Sequence, residues 1–137
     1  MKDHSRVLLI EDNEADVFLV REAIRNANLN IDLLVLEDGE KAIRYIEEID
    51  RNPPRSCPEL VLLDINLPKI SGAEVLERLR TSKSCASARV LVVTSSDSAH
   101  DRQLMAELGA SAYFRKPSNY DDFMKLGEII HDLITKS

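Results

Sequence analysis

The chain has 137 residues, 44% hydrophobic and 31% charged, with a formal net charge of −6, which is enough for one domain with a real core and too little for two. The acidic balance argues against nucleic acid as a direct partner, because phosphate contacts need a basic face. Apolar runs of only a few residues exclude a membrane span, and the polar start Met1-Lys2-Asp3-His4-Ser5-Arg6 has no signal-peptide apolar region, so a cytoplasmic location is expected.

In chain order, residues 6–10 (RVLLI) read as a buried strand that ends in Glu11-Asp12. Asn13 can cap the helix that follows to about residue 26, and Glu14 and Asp16 suit its positive end. Residues 31–36 form a second strand, ended by Asp38-Gly39. Ala42, Ile43, Ile46 and Ile49 mark a second amphipathic helix to about residue 50. Residues 51–58 (RNPPRSCP) are the clearest loop. Residues 60–64 (LVLLD) form a third strand, buried on both faces, with Asp64 where it leaves the core. Pro68 and Gly72 bracket an irregular loop, and Val75, Leu76 and Leu79 belong to a third helix ending near Ser82. Residues 89–93 are a fourth strand leading into Thr94. A fourth helix with Leu104, Met105 and Leu108 is stopped by Gly109. Residues 112–115 are a short fifth strand followed by Lys116-Pro117. Ser118 or Asn119 can cap a last helix whose inner face is Phe123, Leu126, Ile130 and Leu133. Cys57 and Cys85 show neither metal spacing nor a disulfide framework and read as two reduced thiols. The histidines are too scattered for a metal cluster.

Strands alternating with helices imply a parallel sheet covered on both faces. The expected class is α/β: a flavodoxin-like, doubly wound five-stranded sheet in the order 2-1-3-4-5 with five helices, forming one domain over residues 1–137. In such a sheet every strand delivers its C-terminal residues to one edge. The first gives Glu11 and Asp12, the third Asp64, the fourth Thr94 and the fifth Lys116. Glu37 and Asp38, at the sheet margin, are left out. Acids about 4 Å apart repel by roughly 4 kcal/mol at an effective dielectric near 20. A divalent cation removes that cost, and oxygen ligands in an incomplete cage favour Mg²⁺. Acid, metal, lysine and hydroxyl together suit phosphoryl transfer, with an aspartate as acceptor.

These residues resemble the receiver domain of two-component response regulators, over essentially the whole chain. The resemblance implies that Asp64 is the phosphoacceptor. It gives Mg²⁺ to Glu11, Asp12, Asp64 and the backbone carbonyl of Asn66, and puts Thr94 and Lys116 on the phosphoryl group. Tyr113, three residues before the lysine, stands at the position of the family's switch aromatic. The loop before the third strand, Leu67-Pro68-Lys69 and Lys116-Pro117-Ser118-Asn119 are similar to stand-alone receivers that partner phytochrome-type histidine kinases. The implied donor is a sensor histidine kinase. The implied output is by conformational change or phosphorelay to a downstream protein. The fourth helix, fifth strand and fifth helix form the face on which that protein or a second copy would dock. Such a domain is a phosphoacceptor with self-catalysed transfer and slow autodephosphorylation, rather than an enzyme acting on other molecules. One departure is Ser118, where many members have phenylalanine, and it leaves the docking of the last helix open. A Mg²⁺-dependent phosphatase with an aspartyl nucleophile is the rival, although Asn66 stands where such enzymes usually carry a general acid. A non-phosphorylated interaction module is the third reading.

Overall fold

The computed structural model describes residues 5–52 and 57–135. Residues 1–4, most of the polar start, and residues 53–56, the double-proline part of the expected loop, lie outside it. Five parallel strands run in the order β2-β1-β3-β4-β5. They are β1 (Ser5–Ile10), β2 (Ile31–Leu36), β3 (Leu60–Leu63), β4 (Arg89–Thr94) and β5 (Ala112–Arg115). The helices are α1 (Glu14–Asn26), α2 (Gly39–Arg51), α3 (Gly72–Arg80), α4 (Ala99–Glu107), α5 (Tyr120–Phe123) and α6 (Leu126–Thr135). This is the expected doubly wound order, with the fifth helical unit in two segments. At the break the backbone tightens into bonds that span three residues instead of four, such as Lys125 N–H to the Asp122 carbonyl and Gly127 N–H to that of Met124.

Alternation along each strand builds two cores. Leu8, Ile10, Val61, Leu63, Val90 and Val92 face α2, α3 and α4, meeting Ile46, Ile49, Leu76 and Met105. Val7, Leu9, Leu60, Leu62, Leu91 and Val93 face the other way and meet Val20, Ile24, Phe123, Leu126 and Ile130. The central β3 is buried throughout, as its uninterrupted apolar run requires. Phe123, at the end of α5, is buried and packs edge-on against Phe114, centroids 5.8 Å apart. Gly127 lets α6 close on α1, because a Cβ there would lie 2.6 Å from the Ala23 carbonyl oxygen.

One expectation fails. Cys57 and Cys85 are joined in a disulfide, with Cα atoms 5.6 Å apart, and no free cysteine remains among the described residues. Leu60 is paired with Arg89 in the β3–β4 ladder, so the segments entering these neighbouring strands are brought together. A spacing of 28 residues says nothing of that proximity, which only the strand order creates.

Every β-to-α connection ends in a capping side chain. Asn13, Asp38, Ser71, Ser98 and Asn119 each accept from the backbone N–H three residues on. Helix N-termini, with their partial positive charge, are thereby placed along the edge where the strands end.

Candidate functional site

Ladder bonds carry the chain beyond the strands before it turns. Asp64 N–H donates to the Ile10 carbonyl at 3.2 Å, and Lys116 N–H donates to the Thr94 carbonyl at 2.7 Å. Glu11, Asp64, Thr94 and Lys116 therefore all leave the sheet on one edge. Glu11 is 2% exposed, Asp64 7% and Thr94 0%. Three polar groups this deep need partners, and among the described residues no buried side-chain nitrogen or oxygen lacks one.

Lys116 supplies most of the pairing. Its Nζ donates to Glu11 Oε1 at 2.7 Å, to Asp16 Oδ2 at 2.7 Å and to Asp64 Oδ2 at 3.1 Å. Burial by itself would lower the lysine's pKa. Its hydrogen bonds to Asp16 and Glu11 and the charge of Asp64 outweigh that and hold it above the usual value. Glu11 is raised as well: burial, joined by the Asp64 charge and opposed by Lys116, pushes it up to about 7. Asp64 Oδ1 accepts from the Asn66 N–H at 3.4 Å, and Glu11 Oε2 accepts from the Asn13 N–H at 3.2 Å.

Glu11, Asp12 and Asp64 can each offer one carboxylate oxygen within 4.8 Å of the others, so they could hold a metal ion. Asp12 is exposed and completes the open side. All donors are hard oxygens and the cage is partial, a set that suits Mg²⁺ or Mn²⁺ completed by water. Gly72 makes the approach to Asp64 possible: a Cβ there would lie 2.3 Å from the Asp64 carbonyl oxygen. The start of α3 thus lies directly against the backbone that presents the acid.

Thr94 and Tyr113 meet on one residue rather than on each other. Thr94 Oγ1 accepts from the Ser96 N–H at 3.3 Å, and the Tyr113 hydroxyl donates to the Ser96 carbonyl at 3.0 Å. Ser96 Oγ in turn donates to Asp101, in the first turn of α4, at 2.5 Å. The Arg102 guanidinium lies over the Tyr113 ring, 4.3 Å from its centroid. Ser96 thus joins Thr94, Tyr113 and α4, a role invisible in sequence.

Asp38 stays out of the site. It caps α2 through the Lys41 N–H at 2.8 Å and lies 3.7 Å from the Lys69 ammonium. Asp16, read from sequence only as a helix-end acid, belongs to the lysine cluster.

The family model described as the response regulator receiver domain matches residues 7–127. The chain is 34% identical to response regulator Rcp1 of Synechocystis sp. over 122 residues, 88% of this chain and 82% of that protein. A solved structure of Rcp1 in its Mn²⁺-bound form is similar with a TM-score of 0.83 and 32% identity, covering 97% of each chain. The phosphorylated cyanobacterial phytochrome response regulator RcpA gives a TM-score of 0.87 at 28% identity, covering 98% of this chain and 96% of that one. No helix among the described residues is long and apolar enough to cross a membrane. With its fold, its lysine-bridged acids and these relatives in agreement, the chain belongs to the response regulator receiver domain family and is similar to response regulator Rcp1 and to the phytochrome response regulator RcpA.

Proposed function

We propose that the chain accepts a phosphoryl group from a phosphohistidine of a sensor histidine kinase onto Asp64. The observation that supports this most is the partly buried Lys116 ammonium shared by Asp64 and Glu11 beside an open carboxylate cluster. An Asp64 carboxylate oxygen attacks phosphorus, the bond from phosphorus to the donor imidazole nitrogen breaks, and the imidazole leaves with that electron pair. Glu11, Asp12, Asp64 and the backbone carbonyl of Asn66 would hold Mg²⁺, which when bound neutralises the acids and the phosphoryl oxygens. Lys116 and the Thr94 hydroxyl would donate to oxygens of the transferred group.

In this reading, Thr94 leaves Ser96 as it turns to the phosphoryl group. The hold that Tyr113 has on the same residue then shifts, and the face of α4, β5 and the fifth helical unit (α5 and α6) changes. A downstream protein or a second copy would read that face. The likeness to the phytochrome response regulator RcpA supports a phytochrome-type kinase as donor, and a cytoplasmic setting goes with that reading. Intact-mass measurement after incubation with acetyl phosphate tests the reading. One phosphoryl group should be added with Mg²⁺ and none with EDTA; addition that is independent of metal, or no addition at all, rejects it.

A further inference from the structure

We propose that Asp16 is a positioning residue for Lys116, holding its ammonium so that Glu11 and Asp64 can turn to a divalent cation; this rests on the functional reading above. An ammonium has three N–H donors, and here they serve Glu11, Asp16 and Asp64. Two of those acceptors belong to the carboxylate group able to hold a metal; Asp16 does not. Lys116 is therefore an internal competitor for the acids a cation needs. When Glu11 and Asp64 are drawn to the cation, Asp16 is the acceptor left for the lysine.

Asp16 is well placed for this. It lies in the first turn of α1, its N–H is fixed by Asn13 Oδ1 at 3.0 Å, and the helix is anchored in the core through Val20, Ala23 and Ile24. A charged group on such a rigid element loses little freedom in pairing. Its Oδ2 is as close to the lysine as Glu11 is, at 2.7 Å. Without Asp16, the ammonium falls wholly to the two metal-binding acids.

The test is Mg²⁺ titration by calorimetry on the full chain for wild type, Asp16→Asn, Asp16→Glu, Lys116→Met and the Asp16→Asn/Lys116→Met double variant. Glu14→Gln serves as a control that removes an equal charge two residues away in the same first turn of α1. Charge-assisted hydrogen bonds are worth a factor of ten or more, so Asp16→Asn should weaken Mg²⁺ binding about tenfold. Asp16→Glu should recover most of that, and Glu14→Gln should cost less than about twofold. In the Lys116→Met background, Asp16→Asn should cost no more than Glu14→Gln does. An equal loss from Asp16→Asn with and without the lysine overturns the placement of Asp16 while leaving the phosphoacceptor reading intact. A wild-type chain that binds no Mg²⁺ overturns both.

Discussion

Asp12 serves the site at a cost to the fold, whereas Gly72 serves both. Asp12 adds a third carboxylate beside Glu11 and Asp64 and has no place in the lysine's hydrogen bonds. Without metal it contributes repulsion. Asp12→Ala should therefore raise metal-free stability by about 0.5–1 kcal/mol while weakening Mg²⁺ binding, as urea unfolding with and without Mg²⁺ would reveal. A loss of stability in EDTA would mean the acid is structural. Gly72→Ala sets a methyl against the Asp64 carbonyl. It should cost about 1–3 kcal/mol and slow phosphorylation by acetyl phosphate, because the acid's own backbone must move. A normal rate in that variant would mean that the α3 approach does not set the position of Asp64.

At the scale of elements, two ties far from the acids hold the helices around β4. Arg80, the last residue of α3, donates to the carbonyls of Ala86, Ala88, Leu108 and Gly109, the last two just beyond α4. Arg80→Ala removes all four and should lower stability by about 2–3 kcal/mol in urea unfolding; a loss under about 0.5 kcal/mol would show that water replaces them. The Cys57–Cys85 disulfide closes a loop around β3 and α3, its ends 28 positions apart in sequence. Chain entropy gives such a bridge about 3–4 kcal/mol. Reduction, or Cys57→Ser, should lower the unfolding midpoint accordingly; identical midpoints with and without reductant would contradict a stabilising bridge. Much of the element layout was legible in the sequence, because apolar runs and turn residues such as Asp38-Gly39 mark the boundaries. The bridge and the Arg80 clasp were not, since each depends on which strands and helices become neighbours.

For the whole molecule, function and stability occupy opposite ends of the strands. Glu11, Asp64, Thr94 and Lys116 could be read from sequence because each follows an apolar strand, and a parallel sheet must gather such residues on one edge. Asp16 and Ser96 escaped that reading: one looks like any helix-end acid, the other like any loop serine. The pH response should reflect the structural carboxylates. Asp50 is held below the usual carboxylate range, chiefly by the Ser82 hydroxyl and further by the Ser84 N–H. Its stabilisation is present in full above the unfolded value near pH 4 and is lost as pH falls through the lower folded value. Asp50→Asn should thus be less stable than wild type at neutral pH and converge with it in acid; parallel curves down to pH 2 would show that Asp50 does not contribute to acid unfolding. The most direct test of Asp64 as acceptor is chemical mapping. After acetyl phosphate and Mg²⁺, borohydride reduction converts an aspartyl phosphate to homoserine, which peptide sequencing by mass spectrometry locates. Homoserine at position 64 alone, and none in Asp64→Asn, is the expected result; homoserine elsewhere, or undiminished phosphorylation of Asp64→Asn, would contradict it.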